Sequence, residues 1–341
     1  MTQQKIALAI HGGAGTILRS TMTAELVMEY RSGLEAALKV GWDILKKGGS
    51  SLDAVEATVC DLENFHLFNA GRGAVFTHEG KNEMDASIMD GKTLRAGAVA
   101  FVKNVKNPIK LARLVMERTE HVLLGGEGAN LFAVEMGIEM ADDAYFHTEH
   151  RYAQLLKARE EGVVQLDHTV DEAATVSTAA VPAAVRPASG RHVDSGAGRP
   201  RVSQRDAGGT SKKPIGTVGA VACDVGGNLA AATSTGGMTN KKFGRIGDTP
   251  LIGSGTYAEN ATCAVSCTGH GEFFMLGVTA YDVAARMKYK NISLEQAARE
   301  TIENLTSIEG EGGLIAVDRH GNVALPFNSD GMYRGFINVD G

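Results

Sequence analysis

Hydrophobic and polar positions switch between two periods along this chain, and the switches lay out its elements. Residues 6–10 form an apolar run closed by His11-Gly12-Gly13-Ala14-Gly15, which reads as a strand ending in a glycine turn. Between residues 23 and 47, Leu26, Tyr30, Leu34, Leu38, Gly41 and Leu45 recur at helical spacing, and Gly48-Gly49 supplies the stop. Leu52, Val55, Val59 and Leu62 line a second helix, opened by Ser50 or Ser51. Residues 82–89 and 94–102 read as strands joined by Asp90-Gly91, a hairpin signal. Helices are predicted near 108–118, 127–136 and 151–161.

From 169 to 213 the pattern dissolves. Ala, Gly, Ser, Pro, Arg and Asp dominate, and large apolar side chains nearly vanish. Such a segment buries too little surface to offset its ordering entropy, so the sequence predicts a flexible linker or tail. After Gly216 the strands resume. Residues 217–224 and 228–235 flank Val225-Gly226-Gly227 as a hairpin, and 262–268 reads as a further strand. Residues 273–287 and 293–305 read as helices, the second opened by the capping box Ser293-x-x-Gln296. Residues 313–318 and 322–327 make a last hairpin over Arg319-His320-Gly321. Strands and helices are mixed throughout and several hairpins imply antiparallel pairing. The expected class is α+β, two stacked sheets between helix layers, rather than a doubly wound parallel sheet.

Composition narrows the function classes. The chain has 341 residues, enough for one large domain or two modest ones, and its 43% hydrophobic and 22% charged content is that of a globular protein. A net charge of −6 gives no argument for nucleic acid or membrane as a partner. No run approaches eighteen apolar residues, and the N-terminal stretch reads as a first strand rather than an export signal; a cytoplasmic location is the expectation. The four cysteines, Cys60, Cys223, Cys263 and Cys267, are too few and scattered for a disulfide framework and read as small buried thiols.

Several familiar motifs nearly match and fail. His11-Gly12-Gly13-Ala14-Gly15 is like an esterase oxyanion loop, but no Gly-x-Ser-x-Gly elbow accompanies it. The same glycines lack the third member of a dinucleotide loop, and Gly91-Lys92-Thr93 lacks a phosphate loop's first glycine, since that position is Ala86. His147 and His150 have no partner at metal-ligand spacing and read as surface residues.

Thr217 stands out instead. A glycine, then a β-branched hydroxyl residue, then a buried strand, directly after a patternless tract, is a place for a chain to cut itself. A threonine left as a new N-terminus carries nucleophile and base together, because its own α-amine can take the proton from its hydroxyl. A terminal α-amine titrates near pH 7.7–8.0 and is largely available as a base near neutrality.

Blocks along nearly the whole chain carry a resemblance. They are His11–Gly15, Leu67-Phe-Asn-Ala-Gly71, Gly73-Ala-Val-Phe76, Met84-Asp-Ala86, Met89-Asp-Gly91, Arg95-Ala-Gly-Ala-Val99 and Asn107-Pro108. The series continues through Gly216-Thr217-Val218-Gly219, Thr233–Lys241, Gly244-Arg-Ile-Gly-Asp248, Cys267–Glu272, Asn322–Asn328 and Gly331-Met-Tyr-Arg334. Together they resemble the plant-type (type III) L-asparaginases and isoaspartyl peptidases, within the N-terminal-nucleophile hydrolases.

That resemblance implies an αββα four-layer sandwich, made as a precursor and cut between Gly216 and Thr217. Residues 1–216 would be the large subunit, 217–341 the small one, and two such pairs an (αβ)2 assembly. Thr217 would be the nucleophile for self-cleavage and catalysis, supported by Thr235. Arg245 would clamp the α-carboxylate of a small aspartyl substrate with its planar fork, and Asp248 would pair with the α-ammonium. Thr268 and Gly269 would form the oxyanion hole, and the turn through Gly271 would help hold the substrate. Asn69 lies in a loop that carries substrate contacts in relatives. The implied reaction is hydrolysis of isoaspartyl dipeptides and of the L-asparagine side-chain amide, with no cofactor required. In relatives a matching loop resembles a sodium site of main-chain carbonyls, which here would be those of Leu62, Glu63, Phe65, Phe68, Ala70 and Arg72.

Some positions depart from the family pattern. His270 stands where many relatives carry a small polar residue or lysine, Phe243 replaces a common proline, and the 169–213 tract is long. A glycosylasparaginase shares this chemistry but typically has Asp where this chain has Gly216, and here the single Trp42 lies within a helix. A non-catalytic small-molecule-binding protein using the glycine loops is the alternative from another class.

Overall fold

Thr23 caps the first helix, its hydroxyl accepting the Leu26 N–H, and α1 (Ala24–Lys46) follows. The buried stripe of α1 runs through Tyr30, Gly33, Ala37, Gly41 and Leu45. It passes beside the expected leucines: Leu34 and Leu38 flank it half-buried. Small residues along the stripe let α1 lie close against its neighbours, which periodicity of large side chains alone does not reveal. Ser50 caps α2 (Ser51–Asn64) by accepting from the Asp53 N–H. The computed structural model describes residues 6–15, 22–164 and 216–339. The expected 169–213 linker lies outside the described residues.

The first strand, β1 (Ala7–Gly15), runs straight through the glycines expected to form a turn. A register shift between His11 and Gly13 in its pairing accommodates them as a bulge. Strands β2 (Met84–Asp90) and β3 (Ala96–Val102) form the predicted hairpin, followed by α3 (Pro108–Arg118), β4 (Leu123–Gly125), α4 (Gly126–Glu135), α5 (Asp143–Phe146) and α6 (Glu149–Glu160). Beyond Gly216 come β5 (Val218–Cys223), β6 (Leu229–Thr235), β7 (Thr256–Ala258) and β8 (Cys263–Gly269). The single helix expected over 273–287 is two: α7 (Gly271–Gly277) and α8 (Thr279–Lys290), broken at Val278, which takes a left-handed φ of 47°. Then follow α9 (Leu294–Ser307), with Ser293 as cap, β9 (Gly312–Asp318), β10 (Val323–Ala324) and β11 (Gly331–Asn338).

Seven strands form one sheet in the order β11-β1-β5-β6-β2-β3-β4, and four form a second in the order β10-β9-β8-β7. Only β3 and β4 pair in parallel; every other named pair is antiparallel. Alternation along the strands sorts side chains into three cores. Leu8, Ile10, Ile88, Val218 and Ala220 pack with Val55, Val59 and Ile109 of α2 and α3. Their neighbours Ala7, Ala9, Val221 and Ala231 instead meet Ala264, Ile315 and Val317 of the smaller sheet. Cys263, Val265, Cys267 and Leu314 turn the other way, onto Val283, Ala298 and Ile302 of α8 and α9. Each large aliphatic side chain fully buried in these cores contributes about 1.5–3 kcal/mol. All four cysteines are buried and free. Among the described residues no helix is long and apolar enough to cross a membrane.

This sheet order places the candidate chemistry. The hairpin β5–β6 pairs Val218 with Ser234, so Thr217 falls opposite Thr235 at one end of the central strands. His11 of β1 pairs with Gly219 on the other side of β5.

Candidate active site

Gly216, Thr217, Thr235, Arg245, Asp248 and Gly269 line one small cleft. A larger open hollow, bounded by Leu294, Val323 and Phe336, contains none of them. We place the chemistry in the smaller cleft because the polar groups converge there, not by size.

The Thr217 hydroxyl donates to Thr235 Oγ1 at 3.1 Å. Thr235 Oγ1 in turn donates to the carbonyl of Gly216 at 3.2 Å and accepts the Gly237 N–H at 3.0 Å. Asn69 Nδ2 donates to that same Gly216 carbonyl at 2.9 Å and to the Gly237 carbonyl at 2.8 Å. Its Oδ1 accepts the Val75 N–H at 3.0 Å, which fixes which way the amide faces. The carbonyl of the Gly216–Thr217 peptide is therefore held by two side-chain donors while a hydroxyl sits one residue on. This is the arrangement an acyl transfer needs, a nucleophile beside a carbonyl whose developing oxyanion already has donors.

Thr217's own carbonyl accepts from His11 Nδ1 at 2.9 Å, and His11 Nε2 lies 2.8 Å from Ser266 Oγ. Full burial pushes the His11 imidazole down to about 3, against the Thr217 hydrogen bond that raises it, so the ring is neutral at ordinary pH. Nδ1 then carries the proton, Nε2 accepts, and Ser266 donates. A Cβ at position 219 would stand 2.0 Å from Ser266 Oγ and 2.5 Å from His11 Nε2, so only glycine leaves room for that bond. Sequence reasoning gave His11 no part; strands β1 and β8 bring it to Ser266 from 255 positions away.

Thr268 is fully buried, and its Oγ1 accepts the Ala14 N–H at 3.2 Å. Its proton has no hydrogen-bond acceptor among the described residues and remains available as a donor. Arg245 pairs with Glu272 through two bonds, Nε to Oε1 at 3.0 Å and Nη2 to Oε2 at 2.9 Å. Burial works to raise the Glu272 carboxyl, but the Arg245 hydrogen bonds and charge outweigh it and hold it below the usual carboxylate range. His270, which caps α7, places Nε2 3.4 Å from Glu272 Oε2. Phe243, two residues before Arg245, is fully exposed and takes φ 59°.

Asp248 is buried, and its Oδ2 has no hydrogen-bond partner among the described residues. Burial pushes its carboxyl up to about 7 although the Arg245 charge pulls the other way. A buried carboxylate oxygen left unpaired costs free energy unless a partner arrives from outside the fold. A Cβ at Gly271 would lie 2.8 Å from Asp248 Oδ1 and 2.9 Å from Arg245 Nη2, so this glycine sits between the two charged groups.

The proposed carbonyl loop reaches the cleft through Asn69, but none of the six residues named for it lines the cleft. Leu62 and Glu63 end α2 and Phe65 is its C-cap. The carbonyls of Leu62, Phe65, Phe68 and Ala70 each accept a main-chain N–H from within the loop or the turn Gly71–Gly73. The buried Arg151 guanidinium donates to the carbonyls of Leu67 and Gly73. Glu63 turns its side chain inward instead, accepting from Ser234 Oγ at 2.6 Å, Asn107 Nδ2 at 3.0 Å and the Ile109 N–H at 3.0 Å. Burial lifts its carboxyl to about 7 against those bonds. His147 packs edge-on against Phe76 and Tyr152.

A mixed α/β fold that gathers a hydroxyl, a held carbonyl, a cation and an unpaired carboxylate in one cleft has the makings of an amide hydrolase. The family model described as Asparaginase (Asparaginase_2) matches residues 4–341, and the chain belongs to that family. It is similar to the isoaspartyl peptidase of Escherichia coli, 48% identical over 97% of this chain and 92% of the relative. The isoaspartyl peptidase of Salmonella typhimurium is 49% identical over 97% and 94%. The isoaspartyl peptidase/L-asparaginase of Xenopus laevis is 41% identical over 96% and 91%.

Proposed function

We propose that this protein is a self-cleaving threonine hydrolase acting on isoaspartyl dipeptides and on the side-chain amide of L-asparagine. The observation that carries the reading is the Gly216–Thr217 junction: its carbonyl rests on Asn69 Nδ2 and Thr235 Oγ1, with the Thr217 hydroxyl bonded to Thr235. The Thr217 oxygen attacks the Gly216 carbonyl, its hydroxyl proton passes to the peptide nitrogen as the C–N bond breaks and the α-amine is freed, and water hydrolyses the resulting ester. A large subunit ending at Gly216 and a small one beginning at Thr217 result. Three cores around two sheets support reading the whole as an αββα four-layer sandwich. Two cleaved pairs would form an (αβ)2 assembly.

In the cleaved enzyme the Thr217 α-amine takes the proton from its own hydroxyl, and the oxygen attacks the substrate's side-chain carbonyl. The Thr268 hydroxyl and the Gly269 N–H are the donors for the oxyanion. Collapse expels the amine, which takes the proton, and water then releases aspartate from the ester. Arg245 binds the α-carboxylate of the aspartyl unit. The unpaired Oδ2 of Asp248 receives the α-ammonium. A carbonyl oxygen that accepts one N–H still has a second lone pair, and an all-oxygen ligand set suits a hard cation; Leu62, Glu63, Phe65, Phe68, Ala70 and Arg72 would hold Na+ as a structural ion. No chemical step passes through it.

Incubation of the purified protein with a β-aspartyl dipeptide and with L-asparagine should release aspartate, and Thr217→Ala should release none. Turnover by the Thr217→Ala protein at the wild-type rate would overturn the assignment.

A further inference from the structure

Glu272, paired with the cleft's Arg245, is a charged side chain that the proposed reaction leaves without a task. A guanidinium has two edges that can each receive a carboxylate: a side-on edge, Nε with Nη2, and an end-on edge, Nη1 with Nη2. Glu272 fills the side-on edge of Arg245 with both oxygens, at 3.0 and 2.9 Å. The end-on edge is left over, and Nη1 finds no hydrogen-bond partner among the described residues. Two glycines border that edge: a Cβ at Gly247 would lie 2.9 Å from Nη1, and one at Gly271 2.9 Å from Nη2. Gly247 itself lines the cleft. The Gly271 position is also within 2.8 Å of Asp248 Oδ1, so the open edge of Arg245 and the carboxylate of Asp248 are neighbours.

We infer that Glu272 is a positioning residue: it locks the plane of Arg245 so that the end-on edge faces the cleft, and thereby sets the preference for ligands bearing an α-carboxylate. The inference rests on Arg245 being the carboxylate clamp. An arginine has many rotamers, and a clamp that must first be ordered gives up affinity on each binding event. The carboxylate of Glu272 does that ordering in advance, without competing for the edge the ligand uses. Its own position is supported by the His270 ring, 3.4 Å from Oε2, and by its place in the first turn of α7, three residues after β8 ends. Clamp and oxyanion strand are thus joined through one short segment.

The test is binding of two product-like inhibitors to the self-cleaved enzyme: L-aspartate, and L-isoasparagine, in which the α-carboxylate is masked as an amide. Inhibition constants are compared for wild type, Glu272→Gln, Glu272→Ala and Arg245→Ala. The expected result is that Glu272→Ala weakens L-aspartate by about tenfold, the worth of one charge-assisted hydrogen bond, and moves L-isoasparagine less than twofold. The isosteric Glu272→Gln should shift the same ratio in the same direction by less, and it carries the test should Glu272→Ala fail to mature. An unchanged ratio in both Glu272 variants, or equal weakening of both inhibitors, overturns the inference. Arg245→Ala separates the two claims. If it abolishes the ratio while the Glu272 variants keep it, only the positioning role falls. If it too keeps the ratio, the clamp reading falls.

Discussion

Thr235→Val removes one hydroxyl and keeps the shape of the side chain, so it probes the self-cleavage geometry with little repacking. Thr235 Oγ1 makes three bonds: it accepts from Thr217 Oγ1 at 3.1 Å and from Gly237 N at 3.0 Å, and donates to the Gly216 carbonyl at 3.2 Å. Loss of the last leaves Asn69 Nδ2 as the remaining side-chain donor to the scissile carbonyl. Removing one such donor costs about 2.7–4 kcal/mol of barrier, so cleavage should slow by about 10²–10³-fold. The stability cost falls at the low end of about 1–3 kcal/mol, because the orphaned Gly237 N–H is half-exposed and water can reach it. The assay is a time course on denaturing gels of the freshly folded chain, with thermal melting of the same sample as a folding control. A folded variant that matures within threefold of the wild-type rate would refute the role given to Thr235.

Asp248 makes substrate binding pH-dependent. Its folded carboxyl titrates at about 7, and the α-ammonium needs it ionised, so KM should fall as pH rises toward 8 and level off above; a flat KM from pH 5.5 to 8.5 would contradict this. The sign for stability is opposite. A carboxyl raised by burial favours the fold in its protonated form, so that contribution is full below the unfolded value near 3.9 and fades as pH rises to about 7; Asp248→Asn should therefore raise Tm at pH 8. Glu63→Ala strands Ser234 Oγ and the Ile109 N–H, while Asn107 Nδ2 keeps Asn64 Oδ1 as an acceptor, and should destabilise by roughly 2 kcal/mol or more, measured by denaturant unfolding. Gly271→Ala brings a methyl within 2.9 Å of Arg245 Nη2 and 2.8 Å of Asp248 Oδ1, and should raise KM at least tenfold with the fold intact.

Local signals reached a long way in this chain. The caps Ser50 and Ser293 each make the bond their sequence context foretells, and the strands of the hairpin β5–β6 fall within a residue of their expected bounds, though the register that sets Thr217 opposite Thr235 is seen only in the structure. What escaped was long-range. Strand β11 pairs with β1 across the whole length of the chain and has no hairpin partner beside it in sequence. The break at Val278 lies within an apolar spacing that suits one helix; it is imposed where Ala280 and Tyr281 donate to the carbonyls of Ser254 and Gly253. His11 sat in a motif read as a turn, and its bonds to Thr217 and Ser266 exist only once both sheets have stacked. Glu272 closed a recognisable block, but its partner Arg245 lies 27 positions earlier and nothing in the spacing joins them.

The decisive measurement is the N-terminal sequence of the smaller species in mature, active protein, taken alongside Thr217→Ala. The account predicts two fragments, the smaller beginning Thr217-Val218-Gly219, and a single uncut band for the variant. Active enzyme that remains one 341-residue chain, or a small fragment beginning at any other residue, would contradict it.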